Sequence, residues 1–311
     1  MNKNKSKKKK NYNQNYSKSK KKGGYKKKLQ TLKKMNCNPG VKGYTVSSNT
    51  CYTKDTLLKI KNAYNKKNPS NRITSNIPNI IINQLRSKLQ CGKEDCLLNQ
   101  LSNHDKKKID DEIFAPDHPN TWKKNPTEWL SNYDILNVLK QYEKTFKDFK
   151  FLGPTPIDFA SRENGTCIWP ELCNIDLKKM LSKKINKIGI IFNLDKHDES
   201  GSHWVSMFIN IKDGIIFYFD SAANQIPQEI TNLSNLIIDQ SSTLNIPMKY
   251  LTNCPKQHQQ SNTECGMYSL YFIITMIDDS KTMKSKRKMF QKETITDHHV
   301  QSFRNKYFNS K

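Results

Sequence analysis

Three short apolar runs in the second half of the chain set the frame. Lys187 to Leu194, His203 to Ile211 and Gly214 to Asp220 are strand-length, rich in Ile, Phe and Val, and bounded by polar and turn-forming residues. Lys212-Asp213-Gly214 joins the last two as a hairpin with an Asp-Gly turn. Glu229 to Asp239 then has the spacing of an amphipathic helix, and Pro247 to Asn253 reads as a further strand. A long helix follows from near Ser261 to near Asp278. Met267, Leu270, Tyr271, Ile274 and Ile277 share one of its faces while Phe272, Ile273 and Met276 fill others, so it is buried nearly all round. Its start carries a capping-box pattern, Ser261-x-x-Glu264, which puts Cys265 in the first turn.

Upstream, Thr53 to Tyr64 and Pro78 to Leu89 have helical spacing and suggest a small helical module over residues 37–102. Residues 103–125 are polar, hold Pro116 and Pro119, and read as a linker. A larger domain, 126–311, opens with Trp129-Leu130 ahead of a helix whose apolar set is Ile135, Leu136, Val138, Leu139 and Tyr142. Phe149 to Pro156 is extended and Lys178 to Lys184 a short helix. The pattern as a whole predicts an α+β fold with a central mixed sheet flanked by helices, and no repeat of solenoid period is present.

Charge changes this picture at one end. Residues 1–34 hold fifteen lysines and no acidic residue, leaving +10 of the net +25 for the remaining 277 positions. A segment with so few apolar residues cannot offset its ordering entropy, so residues 1–36 are expected to be a disordered tail drawn without sequence preference to polyanions, nucleic acid among them. No window approaches the ~18 apolar residues of a membrane span. The lysine-rich start also lacks the apolar core of a secretory signal. Eight widely spaced cysteines in a chain of this length fit a reducing compartment, with Cys51, Cys91 and Cys96 packing the helical module. Their spacing is poor for structural zinc, so no metal is expected.

The chemistry gathers at Cys265. A helix N-terminus and a nearby imidazolium both favour thiolate, and Cys265 has the position for both. Gly266 after it implies close approach of neighbouring chain, since glycine inside a helix costs about 1 kcal/mol. His203 is the candidate general base and Asp220 its orienting acid. The hairpin brings the two near each other, but a turn centred on Lys212 pairs residue 204 with 220, whereas one centred on Asp213 pairs 206 with 220. His197, His258, His298 and His299 compete for the base. Gln259 or Gln260 would donate to the oxyanion together with the backbone N–H of Cys265.

His203-Trp204, Asp220-Ser221 and Gln259 six positions before Cys265-Gly266 together resemble the ubiquitin-like-protein (SUMO) peptidase and adenain family of cysteine proteases, over roughly residues 125–280. The resemblance implies a Cys-His-Asp endopeptidase that needs no cofactor, with Trp129 and Trp204 clamping a substrate Gly-Gly tail. Glu264 departs from the aspartate common there. The Asn/Lys-rich style and the leading cysteine-containing unit further resemble the thiol proteases of mimivirus-like giant DNA viruses. That likeness implies maturation of viral structural proteins, in the virion and host cytoplasm. Removal of ubiquitin-like modifiers is the second reading, and a nucleic-acid-binding virion protein with an inactive peptidase fold is the third. Acetyltransferases with a related triad stand further off, since they usually carry glutamate as the acid and lack the tryptophan after histidine.

Overall fold

Strands in which nearly every residue is buried make the centre of the protein, and their length and β-branched content leave them no other stable use. The computed structural model describes residues 32–310. Most of the expected lysine-rich tail, residues 1–31, lies outside the described residues.

In chain order the strands are β1 (Phe149–Phe151), β2 (Thr155–Pro156), β3 (Arg162–Glu163), β4 (Thr166–Cys167), β5 (Lys187–Asn193), β6 (Trp204–Asn210), β7 (Ile215–Phe219) and β8 (Lys249–Thr252). The main sheet runs β1-β5-β6-β7-β8, with β2 also pairing with β5, while β3 and β4 form a separate small hairpin. β6 runs antiparallel to both of its neighbours, β5 and β7; β1 and β2 run parallel to β5, and β8 parallel to β7. The sheet is therefore mixed, as expected.

The helices are α1 (Lys54–Lys67), α2 (Pro78–Leu89), α3 (Asn103–Ile113), α4 (Asn132–Thr145), α5 (Pro170–Cys173), α6 (Leu177–Ser182), α7 (Gln228–Thr243), α8 (Cys265–Ile277), α9 (Met283–Gln291), α10 (Asp297–Ser302) and α11 (Arg304–Tyr307). Side chains alternate across the strands, so the sheet feeds two cores. Ile191, Phe208, Phe217 and Phe219 face α4 and α8, whereas Ile190, Phe192, Val205 and Met207 face the Ile230, Leu233 and Ile237 stripe of α7.

A third core joins α1, α2 and α3 with Tyr52 and Phe114. Glu94, fully buried there, accepts hydrogen bonds from the backbone N–H groups of Met35 (2.8 Å) and Cys51 (3.1 Å). Asn309 ties this N-terminal part to the C-terminus, accepting from Asn36 N at 2.7 Å and donating to Ala115 O at 2.9 Å.

Three expectations need correction. The 103–125 segment is not plain linker: Ser102 caps α3 by accepting from Asp105 N, and Ile109 and Ile113 are buried in the third core. Those two apolar residues are too few to announce a helix by periodicity. Six of the eight cysteines, expected as thiols packed in a reducing setting, form the disulfides Cys37–Cys51, Cys91–Cys96 and Cys167–Cys173, leaving Cys254 and Cys265 free. Finally, α8 begins at Cys265 and not at Ser261. Glu264 is its N-cap but makes no capping bond, because its carboxylate is drawn to Arg304 instead.

Candidate active site

The β6–β7 hairpin fixes the first two functional groups. Asn210 and Asp213 exchange hydrogen bonds across the turn (2.8 and 3.0 Å), and Ser206 lies opposite Phe219. This register falls midway between the two expected from sequence, and its continuation places Asp220 beside Val205. His203, just ahead of β6, then meets Asp220, just after β7: Nε2 of His203 lies 2.7 Å from Asp220 Oδ1.

Asp220 is fully buried and held from several directions. Its carboxylate accepts from Ala222 N (2.9 Å) and Asn224 N (3.1 Å). Its backbone N–H donates to Asn253 Oδ1 at 3.0 Å, and its carbonyl accepts from Asn253 Nδ2 at 2.6 Å. Burial pushes its pKa up, but the His203 hydrogen bond and charge, with the backbone donors, overcome this and hold it below the usual carboxylate range. Asn253 was read from sequence only as the end of a strand. In the fold it clamps the residue that orients the histidine.

Cys265 lies close enough to His203 for its thiol to act on the imidazole. With Nε2 engaged by Asp220, Nδ1 is the nitrogen left for the thiol. Burial alone would lower the imidazole pKa, but Asp220 and Cys265 outweigh it and raise it to about 9. Cys265 is the first residue of α8 and is buried against the sheet. Of the competing histidines, His298 is exposed and the other three are committed elsewhere. His258 contacts Phe290 O and Ile295 N, His197 contacts Asp158 and Glu163, and His299 contacts Tyr271.

The two glutamines separate clearly. Gln259 is buried; its Oε1 accepts from Ser221 Oγ at 2.7 Å and its Nε2 donates to Ser261 O at 2.6 Å. Gln260 is exposed, and its backbone N–H donates to the Asp297 carboxylate. Asp297 also accepts from Ser261 N (2.7 Å) and Tyr268 Oη (2.9 Å), so α10 anchors the loop leading into Cys265. Arg304 of α11 anchors the loop's far end, bonding Glu264 through Nε (3.2 Å) and Nη2 (3.1 Å) while stacking 4.5 Å over Trp122. Sequence reasoning missed Asp297 and Arg304, because both act across long chain separations that no local pattern signals.

A groove of about 710 Å³ has Trp129 and Trp204, the residue after His203, in its walls. Trp129 is 44% exposed, whereas Trp204 is buried and donates its Nε1–H to Leu130 O at 3.0 Å. A β-carbon on Gly266 would stand 3.0 Å from Leu130 Cβ, so this glycine lets α8 approach the segment carrying Trp129. Trp169 and the loop from Asn193 to Gly201 complete the groove and were not anticipated.

Residues 134–311 match the model of the Ulp1 protease family, C-terminal catalytic domain. A protein of Acanthamoeba polyphaga mimivirus that carries the name of a thiol protease is 30% identical over 260 residues, which is 76% of this chain and 83% of that protein. A cysteine protease of African swine fever virus is 30% identical over 194 residues, 60% of this chain and 69% of that protein. The crystal structure of the African swine fever virus protease aligns with a TM-score of 0.60 at 21% identity, covering 89% of this chain and 96% of that one, so the fold is shared.

Proposed function

The chain belongs to the Ulp1 protease family and is a cysteine protease, and on that premise we propose that it cleaves protein substrates after Gly-Gly, with Cys265 as nucleophile. The observation that carries this reading is the 2.7 Å His203–Asp220 bond with Cys265 close to the same imidazole, and Trp204, the residue after His203, in the wall of a groove shared with Trp129.

His203 takes the thiol proton, and the sulfur attacks the scissile carbonyl carbon. With a pKa of about 9, the imidazolium keeps that proton at neutral pH until the leaving amine accepts it. Asp220 holds the ring in place and stabilises its charge. The resulting thioester is hydrolysed by water, with His203 acting as base in the second half. For the oxyanion, Gln259 is the stronger candidate of the pair. Ser221 fixes its amide by donating to Oε1, Ser261 O takes one N–H, and the second N–H is available alongside the backbone N–H of Cys265.

Glycine is favoured because Trp129 and Trp204 narrow the approach to Cys265, leaving little room for side chains on the residues before the scissile bond. Maturation of viral structural proteins is the first reading, in keeping with the similarity to viral proteases. Deconjugation of ubiquitin-like modifiers is the second, since some African swine fever virus relatives carry the name SUMO-1 cysteine protease. The lysine-rich tail would add non-specific contact with nucleic acid.

The test is a mixed peptide library digested by the protein, with cut sites read by mass spectrometry. Cleavage after Gly-Gly supports the proposal, and cutting that ignores the preceding residues overturns it. A ubiquitin-like protein with a C-terminal Gly-Gly amide separates the two readings: deconjugation requires it to be cut far faster than a free Gly-Gly peptide.

A further inference from the structure

A second cavity lies where α4 and α8 meet the N-terminal segment and the C-terminal helices. At about 760 Å³ it falls within the range of sites that hold small molecules. Its inner wall is phenolic. Tyr142 of α4, Tyr271 of α8 and Tyr307 of α11 all line it, and burial is the main reason that all three phenols have raised pKa values. Tyr271 bonds His299, but the hydroxyls of Tyr142 and Tyr307 have no hydrogen-bond partner among the described residues. Both residues line the cavity, so their hydroxyls are available to a bound molecule.

The rim has the opposite character. Lys34, Lys42, Lys281 and Lys306 stand around the opening, exposed, and none is in a salt bridge among the described residues. One carboxylate, Asp278, shares the lining, and it is already occupied by Ser280 through N–H (2.9 Å) and Oγ–H (2.8 Å). Between rim and wall lie Phe146, Phe303 and Ile274, an apolar surface. Lys34 Nζ donates to Ser48 O at 2.6 Å and Lys306 Nζ lies 3.8 Å over the Phe303 ring, but both keep their charge exposed. Neutral O–H donors at the bottom, apolar sides and several exposed cations at the mouth together describe a ligand with a multiply charged acidic group on an apolar body.

We propose that this cavity is a binding site for an aromatic organic phosphate, of the nucleoside polyphosphate class. The lysines take the phosphates and Tyr142 and Tyr307 donate to polar edges of the ring system. A phosphate chain is favoured over a carboxylate because four cations against one committed carboxylate call for several negative charges in a small volume. The site lies apart from His203 and Cys265, yet its wall includes α8, which begins at Cys265, so occupancy braces the helix that carries the thiol against the N-terminal segment.

The test is equilibrium binding of ATP to the full-length protein, beside adenosine and inorganic triphosphate. ATP is expected to bind more tightly than either fragment. Tyr307→Phe should weaken it on the order of tenfold, the loss of one hydrogen bond to a charged or strongly polar acceptor. Lys42→Glu and Lys306→Glu should each weaken it several-fold and flatten its salt dependence. The lysine-rich N-terminus is unchanged in these variants, so binding there would not respond to them. Triphosphate binding as tight as ATP, or ATP affinity indifferent to Tyr307→Phe and both charge reversals, overturns the proposal. So does an acidic aromatic peptide that displaces ATP at lower concentration than ATP itself binds.

Discussion

Replacing Gly266 with alanine adds one methyl group where α8 comes closest to the segment entering α4. The new Cβ would stand 3.0 Å from Leu130 Cβ, 3.2 Å from Cγ and 3.3 Å from Cδ1. Carbon atoms prefer separations of about 3.5–4.0 Å, so Leu130 has to retreat, and at 3% exposure it has little open space to enter. Overpacking of this kind costs about 1–3 kcal/mol, while alanine in place of glycine in a helix returns up to about 1 kcal/mol. The net loss of stability is therefore small, about 1 kcal/mol. Catalysis should suffer more. Leu130 O accepts the Trp204 indole N–H at 3.0 Å, and Leu130 follows Trp129 directly, so its retreat moves both groove walls. A misplacement of about 1 Å can cost a hundredfold in rate, and a shift of a few tenths should lower kcat/KM roughly tenfold. Steady-state hydrolysis of a Gly-Gly peptide, run beside a thermal melt, measures both effects. An alanine variant with wild-type kcat/KM and an unchanged or higher Tm would refute the wedge argument.

Asp220→Asn should lower turnover less than His203→Ala, which removes a proton carrier worth about 10²–10⁴-fold; equal losses would deny His203 its separate role. His203 is raised to about 9 and Asp220 is depressed. Their pairing therefore stabilises the fold fully above the unfolded aspartate value of about 3.9 and below the unfolded histidine value of about 6.5. The histidine contribution should fade as pH rises through about 9, and urea titrations of wild type and Asp220→Asn across this range should converge at high pH. Arg304→Met should cost about 3–5 kcal/mol by stranding Glu264 in the core, and Glu264→Gln in the same chain should recover much of it, read as Tm. Removing residues 1–31, with their thirteen lysines, should weaken DNA retention and reduce its salt slope while small-peptide turnover is unchanged.

The strands around the site were legible because burial on both faces demands nearly continuous apolar runs, which Ile188 to Phe192 and Val205 to Ile209, with only Ser206 polar, display. His203 and Asp220 could be paired in advance because a hairpin turn converts sequence distance into proximity; only the register waited for Asn210 and Asp213 to close the turn. The start of α8 was misread for a physical reason. Ser261 and Glu264 satisfy a local capping pattern, but Asp297 and Arg304 arrive from distant helices and take the groups that the pattern needs. α9, α10 and α11 escaped notice because each buries only one or two residues, among them Phe290, Val300 and Tyr307. The disulfides were equally invisible, since spacing alone does not reveal which sulfurs the chain will bring together.

The account stands on Cys265 acting as a thiolate nucleophile under the control of His203. A Gly-Gly peptide ending in a thiol-reactive electrophile, incubated with full-length protein and mapped by mass spectrometry, tests this directly. Cys254 is the other free cysteine and serves as an internal control. The account predicts modification of Cys265 with Cys254 left intact, and loss of that modification in a folded His203→Ala variant. Labelling of Cys254 at a similar rate, or a His203→Ala protein that reacts as fast as wild type, would contradict it.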